Sequence, residues 1–356
     1  MIMELSDNNV NKKTLPLGNG VSLQLYGLWD ETIFESAGKW LYPLFEVEDY
    51  LHAMQLSAGE LFLHDRIAGR AAASLISRMG FKHCFIDTIS THALDVFVRY
   101  GVSCGYNMLV DKIDCRTEDL ISSDMDIEEV YRMLRQRAGR LHGIELEITG
   151  LIAGYDKKIV IDELNLKMRA GDQMVIIGDN GSGKSTLLKV LIGSVQASGG
   201  EIKLGNVPAG RVKKIPSSIG YVNQSINTTG FPVTAEEVVS LGLLGQKLST
   251  SDRTYQIEIA MRRTGCFHLA GRSINTLSGG EKQRVSLARC LAQKAGLILM
   301  DEPTSFLDRE SKDEFLDVLN HVVRRHMPTV ILVSHDHEWV ERLGWAVQTL
   351  KDGKLC

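Results

Sequence analysis

Residues 175–191, VIIGDNGSGKSTLLKVL, decide the fold of the larger part of this 356-residue chain. The apolar residues Val175–Ile177 predict a buried strand, residues 178–186 predict a glycine-rich loop, and residues 187–191 predict a helix. Glycines let backbone N–H groups wrap around phosphate oxygens, and the start of the helix adds the positive end of its dipole. The stretch therefore predicts a phosphate-binding loop within an α/β fold.

The loop also supplies side chains for a nucleotide and a metal ion. Lys184 is expected to bridge the β- and γ-phosphates, and the Ser185 hydroxyl is expected to bind Mg²⁺. A nucleoside triphosphate and Mg²⁺ are therefore the predicted substrate and cofactor. The predicted nucleotide-binding residues of the loop are Gly178, Asp179, Asn180, Gly181, Ser182, Gly183, Lys184, Ser185 and Thr186.

A second motif, LILMDE at residues 297–302, predicts a buried strand that ends in two carboxylates. Asp301 is predicted to join the Mg²⁺ shell. Glu302 is predicted to polarise the attacking water, because phosphoryl transfer depends on in-line positioning more than on covalent chemistry. Together with the loop, this motif predicts hydrolysis of a nucleoside triphosphate.

Between these motifs lies LSGGEKQR, residues 277–284, which we call the signature segment. It resembles the signature of ABC ATPases, and the resemblance extends over residues 144–356. It implies a P-loop NTPase cassette with a helical subdomain. It also implies ATP as the nucleotide and a head-to-tail homodimer of cassettes. In that dimer the nucleotide held by one cassette is contacted by four residues of the other, Ser278, Gly279, Gly280 and Glu281.

The same resemblance implies roles for three more residues. Tyr155 corresponds to the aromatic residue that stacks on adenine, Gln224 to the glutamine that joins the Mg²⁺ and water shell, and His335 to the histidine that contacts the γ-phosphate. Phe306 departs from the small residue usual at its position. His335 and His337 flank Asp336, a pattern that could also suggest a metal site. A γ-phosphate contact by His335 is the favoured interpretation.

The rest of the chain is expected to form a smaller α/β domain before the cassette. Residues 1–22 are predicted to be flexible, 23–126 to form the domain, 127–143 to form an amphipathic linker helix, and 144–356 to form the cassette. The expected elements of the small domain are a strand at Leu61–Leu63, a helix at Ile67–Ser77, a strand at Cys84–Ile89, a helix at Ala93–Tyr100 and a strand near Val102–Tyr106.

Residues 61–73, LFLHDRIAGRAAA, together with Ile89, Ser90, Ala93 and Leu94, resemble a small bacterial family of unknown function that is grouped with cytidine-deaminase-like folds. Zinc deaminases need H-x-E and P-C-x-x-C to bind Zn²⁺ and move protons. Neither motif occurs in the sequence. A ligand-sensing or interaction domain is predicted instead of a deaminase.

Composition and charge limit the partners and the cellular location that the sequence predicts. The net charge of −4 divides into −6 over residues 1–140 and +2 over the rest, so neither part predicts a nucleic-acid partner. Six scattered cysteines are typical of reduced thiols in a cytosolic protein. The polar first residues predict no signal peptide, and no apolar run is long enough to span a bilayer. The expected location is the cytoplasmic membrane face, through a membrane partner.

The short span from Gln224 to Leu277 leaves no room for the long coiled coil of chromosome-maintenance ATPases, and one cassette differs from the two of translation factors. Transport is therefore the leading function. Residues 231–242, FPVTAEEVVSLG, are similar to importers of zinc, manganese, iron chelates and cobalamin, and to zinc and manganese importers above all. An importer implies a membrane permease and an extracytoplasmic solute-binding protein as partners. A soluble ABC regulator without a permease remains the alternative.

Overall fold

The computed structural model describes residues 15–54, 56–156, 158–205, 207–208, 219–223 and 233–356. The chain divides into two compact units, Met1–Arg140 and Leu141–Cys356. Both units combine helices with strands, so the fold class is α/β, as predicted. None of the helices in these described ranges is long and apolar enough to cross a bilayer.

The first unit is built on a mixed sheet with the strand order β2-β1-β3-β4-β5. Its elements are β1 (Leu23–Tyr26), β2 (Thr32–Ser36), α1 (Tyr42–Met54), β3 (Phe62–Ala68), α2 (Arg70–Met79), β4 (His83–Ser90), α3 (Thr91–Tyr100), β5 (Ser103–Val110) and α4 (Ile127–Arg137). The strands β3, β4 and β5 run parallel, whereas β1 pairs antiparallel with both β2 and β3. Helices α2 and α3 provide the crossovers that parallel strands require.

The sequence located the parallel half of this unit but missed β1, β2 and α1. The predicted helix at residues 67–77 was wrong at its start, because Ile67 and Ala68 belong to β3 and Gly69 is the N-cap of α2. Residues 15–22, predicted to be flexible, contain the buried Leu17, whose backbone N–H donates to Asp87 at 3.0 Å. Residues 1–14 lie outside the described part of the chain.

Helix α4, predicted as a linker, is an integral part of the first unit. Tyr131 and Leu134 are buried, and the Tyr131 hydroxyl donates to Glu48 of α1 at 2.8 Å. Arg135 of α4 and Arg78 of α2 also pair with Glu48, at 3.2 and 3.3 Å. A buried carboxylate needs such partners, so Glu48 ties α1, α2 and α4 into one structure.

The second unit contains two sheets and a helical subdomain. Its elements are β6 (Leu146–Tyr155), β7 (Lys158–Met168), β8 (Gln173–Ile177), α5 (Lys184–Leu191), β9 (Ala197–Leu204), β10 (Val207–Pro208), β11 (Ile219–Val222), α6 (Ala235–Ser240), α7 (Thr250–Arg263), α8 (Gly279–Ala292), β12 (Leu297–Asp301), α9 (Arg309–His326), β13 (Thr329–Val333), α10 (His337–Leu343), β14 (Ala346–Lys351) and β15 (Lys354–Leu355). The antiparallel sheet has the order β10-β9-β6-β7, and the second sheet has the order β11-β12-β13-β8-β14-β15.

The strands from β11 to β14 in the second sheet are parallel. Strands β12 and β13 are buried at every position, which is why both read as continuous apolar runs. Helices α6, α7 and α8 share a separate apolar cluster that includes Val239, Met261 and Val285. Thr234 starts α6 through a capping box with Glu237. Phe231 and Pro232, which belong to the importer-like stretch, lie outside the described residues.

Because the apolar clusters of the second unit consist of its own residues, we expect a fragment of residues 141–356 to fold alone. The expected result is a helical circular dichroism spectrum and one cooperative unfolding transition. A matched fragment that starts at Val160 lacks β6, which pairs with β7 and β9, and should unfold without cooperativity. A disordered 141–356 fragment would show that the first unit is needed for folding.

Candidate nucleotide site

One edge of the second sheet brings together part of the predicted site, namely the glycine-rich loop, Asp301, Glu302 and His335. Strands β8, β12 and β13 are parallel neighbours in the order β12-β13-β8, so their carboxyl ends lie side by side. The glycine-rich loop follows β8, Asp301 ends β12, and His335 comes two residues after β13. Residues distant in sequence are thus brought together at the place where parallel α/β sheets bind ligands.

The loop has the curvature that phosphate binding requires. Gly183 has φ +106° and begins α5, a conformation that a side chain would strain. A Cβ on Gly178 would lie 2.3 Å from the carbonyl oxygen of Leu350. The Lys184 Nζ donates to the carbonyls of Gly178 and Asp179 at 2.6 and 3.0 Å. This holds the Lys184 ammonium inside the curve of the loop.

The oxygen atoms near the loop fit a nucleotide with its metal ion. The Ser185 Oγ donates to Asp301 Oδ1 at 2.9 Å, which places a hydroxyl and a carboxylate together, as Mg²⁺ requires. The buried Ser182 Oγ has no hydrogen-bond partner among the described residues. A buried hydroxyl without a partner is costly, and a phosphate oxygen would satisfy it. The residues present therefore fit both groups.

Sequence reasoning missed Tyr221, whose hydroxyl donates to Asp301 Oδ2 at 3.1 Å. Burial, followed by the charge of Asp301, raises the pKa of Tyr221, so its hydroxyl stays a donor. Tyr221 lies on β11, the strand adjacent to β12. The sequence shows that Tyr221 lies three residues before Gln224, but it does not show that β11 is adjacent to β12.

Glu302 and His335 form a close pair beside this centre. The His335 Nδ1 lies 2.7 Å from Glu302 Oε2. Glu302 has φ +49°, its backbone N–H donates to Val333 at 3.0 Å, and the Ser305 Oγ donates to its carbonyl at 2.9 Å. A left-handed backbone at a non-glycine residue is costly and is kept where surrounding contacts determine it. The Glu302 side chain is therefore held in one direction.

The signature segment begins α8 with a capping box. The Glu281 N–H donates to Ser278 Oγ at 3.2 Å, and the Ser278 N–H donates to Glu281 Oε2 at 2.7 Å. Partial burial acts to raise the pKa of Glu281, but its hydrogen bonds from Ser278 prevail and lower it. Ser278 is exposed. The N-terminus of α8 is thus preorganised and accessible.

The two signature glycines also have a packing role that the sequence did not show. A Cβ on Gly279 would lie 2.9 Å from the Leu307 side chain, and one on Gly280 would lie 3.0 Å from Ser311. The loop before α9 therefore packs closely on α8. Phe306 in this loop is 70% exposed, so the unusual aromatic residue is accommodated by pointing outward.

The remaining residues that the sequence singled out are Gln224, Tyr155 and Asp336. Gln224 lies outside the described residues. Tyr155 ends β6 and is 45% exposed, next to the turn into β7. Asp336 caps α10, where its carboxylate accepts from the Trp339 N–H at 3.1 Å, and it pairs with Lys312. The Asp336 carboxylate therefore has a structural role as a helix cap and ion-pair partner.

A cavity of about 640 Å³ opens beside the loop. Residues 178–182 form one wall, and residues 158–160 and 349–353 form the others. The latter two segments were not predicted as site residues because no chemical motif marks them. Tyr155 lies shortly before residues 158–160 in the sequence, so this exposed residue is close along the chain to one wall of the cavity.

Comparison with known families gives two matches, one in each of the two compact units. A family model described as ABC transporter matches residues 161–305. A second model, described as a domain of unknown function (DUF1893), matches residues 21–138. The grouping of that domain with cytidine deaminases stays a prediction.

The chain is similar to the high-affinity zinc uptake system ATP-binding protein ZnuC of Bacillus subtilis, at 32% identity over 218 residues, 59% of this chain and 92% of that protein. It is 31% identical over 228 residues to the phosphonates import ATP-binding protein PhnC 2 of Pseudomonas syringae, covering 59% and 82%. The dimeric, post-hydrolysis structure of the cassette MJ0796 with ADP and Pi matches with a TM-score of 0.52 and 26% identity, covering 59% and 96%. The chain therefore belongs to the ABC transporter family of ATP-binding proteins, and its cassette is an ATPase.

Proposed function

We propose that two copies of this chain form a nucleotide sandwich that hydrolyses ATP and drives an importer. The observation that carries the proposal is the cluster of Lys184, Ser185, Asp301, Glu302 and His335 at one sheet edge. It combines a phosphate-binding ammonium, a hydroxyl–carboxylate pair and an oriented carboxylate. Together these are the groups that phosphoryl transfer to water requires.

Each residue of the cluster has a distinct proposed task. Lys184 and the loop N–H groups bind the β- and γ-phosphates, and the free Ser182 Oγ adds a donor. Mg²⁺, held by Ser185, Asp301 and Gln224, would neutralise charge on the phosphate oxygens. Tyr221 holds the Asp301 carboxylate through its second oxygen.

Glu302 is the proposed acceptor that orients the attacking water. Its contact with His335 and its constrained backbone fix the direction of the carboxylate before water arrives. His335 is 60% exposed, so its ring can also reach a γ-phosphate. Tyr155 is proposed to stack on the adenine ring.

The dimer is proposed because the signature segment offers an exposed, capped helix start at Ser278. In a head-to-tail pair, Ser278, Gly279, Gly280 and Glu281 of one copy would close the nucleotide bound by the other. The similarity to a cassette solved as a dimer with ADP and Pi supports this arrangement.

The transport proposal rests on the similarity to two importer subunits. A membrane permease, with an extracytoplasmic solute-binding protein, would be the partner, and the chain would lie at the cytoplasmic membrane face. The finer proposal is a metal-ion cargo, zinc or manganese, supported by the zinc-system relative and by residues 231–242. A siderophore or cobalamin importer and a soluble regulator are the alternatives tested below.

We expect Glu302→Gln to lower ATP turnover by about 100-fold or more while ATP binding is retained, because the variant removes the water-orienting carboxylate and keeps Lys184. Steady-state phosphate release and nucleotide binding measure the two effects. The exposed Glu310→Gln serves as the matched control and should behave as wild type. Wild-type turnover by the Glu302 variant would contradict its role.

Lys184→Ala and Ser278→Arg should each be inactive alone, because each spoils both sites of a homodimer. Mixing the two should restore one intact composite site per heterodimer, so part of the activity should return. Phosphate release from titrated mixtures measures this, with two-fold dilutions of each single variant as controls. No recovery at any ratio, together with a strictly monomeric Glu302→Gln chain in ATP by light scattering, would refute the sandwich.

Deleting the gene in its host should reduce uptake of radioactive zinc or manganese, and wild-type chain but not Glu302→Gln should restore it. Cobalamin and ferric siderophore uptake are measured in parallel. Loss of one of those activities alone would replace the metal proposal. Unchanged uptake of all four, with no membrane protein co-purifying, would favour the soluble regulator.

A further inference from the structure

The first unit contains a cavity of about 300 Å³ at the carboxyl end of β3. Its walls are mainly apolar and include Trp40, Leu41, Ile67 and Ala71. Trp40 is partly exposed, and its indole Nε1 donates to Thr117 Oγ1 at 3.1 Å. This bond fixes the ring as part of the wall. The cavity is thus preformed and has an aromatic surface, as small-molecule sites usually do.

One wall of this cavity carries a buried carboxylate, Asp65. The residue is only 8% exposed, and its neighbours on the adjoining strands are Leu23 and Ile86. Its carboxylate accepts a long hydrogen bond, 3.4 Å, from the Ile67 N–H. No cationic side chain within the described ranges pairs with it. Such a carboxylate is costly to bury unless a partner arrives.

The cation next to Asp65 in sequence is Arg66, which also contributes to the lining of the cavity. Adjacent residues of a strand point to opposite faces, so the Arg66 side chain points away from that of Asp65. Its guanidinium donates to the carbonyls of Leu17, Gly18 and Val21. Arg66 therefore ties residues 17–21 to the sheet and does not neutralise Asp65.

The other buried carboxylate of the cavity, Glu118, already has its donors. It accepts from the Ser90 Oγ at 2.8 Å, from the Ile113 N–H at 3.1 Å and from the Arg70 N–H at 3.3 Å. Glu118 thus satisfies the starts of α2 and α3. Glu118 therefore has several donors within the protein, including the Ser90 hydroxyl, whereas Asp65 has backbone hydrogen bonds alone among the described residues. Asp65 is thus the carboxylate with which a ligand can pair.

We propose that this cavity binds a small organic monocation, whose ammonium or amidinium group pairs with Asp65 and whose apolar body lies against Trp40. The charge of the ligand supplies the partner that the protein does not provide, and the apolar walls accept the rest. The indole ring adds an attraction for a cation near its face. The site is separate from the ATPase chemistry and gives the first unit a ligand to sense.

The pH dependence of binding follows from the surroundings of Asp65. Burial and, to a smaller extent, the charge of Asp87 raise the pKa of Asp65 to about 7, although backbone hydrogen bonds from Ile67 and Arg66 act to lower it. Cys84 lies on the adjoining strand, and its hydrogen bond with Cys104, followed by burial, raises the pKa of that thiol and keeps it protonated. The remaining titratable groups in the lining are Lys39, Arg66, Cys115 and Glu118. A cation should therefore bind more tightly as pH rises from 5 to 8, because Asp65 becomes ionised.

The test is isothermal titration of the full chain with benzamidinium and phenethylammonium, each beside a neutral compound of similar shape, benzamide and phenethyl alcohol. At least one cation should bind saturably, and more tightly than its neutral counterpart at pH 8. Asp65→Asn should weaken binding of that cation by about 10- to 100-fold. The exposed Asp95→Asn, outside the cavity, should leave it unchanged.

Circular dichroism checks that the Asp65 variant is folded. Two of the measurements use only the wild-type chain: the comparison of cations with neutral compounds, and the pH series. The proposal is overturned if neither cation binds, if neutral compounds bind as well as cations, or if affinity falls as pH rises. It is also overturned if a folded Asp65→Asn chain binds the cation as wild type does.

Discussion

The hydrogen bond between Ser185 Oγ and Asp301 Oδ1 is the contact on which the catalytic edge depends. It joins the first turn of α5 to the last residue of β12, although β13 lies between β12 and β8 in the sheet. The contact can form only if the three strands keep their register and end at the same edge. Complete burial of β12 and β13 secures that register, because a slip would expose apolar side chains or bury backbone groups without partners.

The motifs of the cassette were predictable because each consists of neighbouring residues. The strand, loop and helix around Lys184 and the strand before Asp301 appear as expected. The order of strands could not be read in this way, and so the contact of Tyr221 with Asp301 was missed. In the first unit, β1, β2 and α1 lack chemical motifs. Their short runs are stabilised by long-range contacts such as Tyr131 with Glu48, which local sequence does not display.

The signature glycines illustrate how one residue type can serve two constraints. Gly279 allows the loop at Leu307 to pack on α8, and in the proposed dimer it would also let the N-terminus of α8 approach a phosphate. A side chain at residue 279 would disturb both surfaces at once. The loop that packs on Gly279 also contacts Glu302, because the Ser305 hydroxyl donates to the Glu302 carbonyl.

Buried carboxylates show how the two units differ in their chemistry. Asp301 accepts from two hydroxyl groups, and Glu48 accepts from a hydroxyl and two guanidinium groups, so the protein itself stabilises both. Asp65 is buried as deeply as Asp301, at 8% against 7% exposed, but its neighbours are apolar. Burial without side-chain donors raises its pKa and destabilises the charged form in the absence of a ligand. A fold that keeps such a group beside an open cavity favours the arrival of a cation, since pairing would recover the free energy that burial of Asp65 costs.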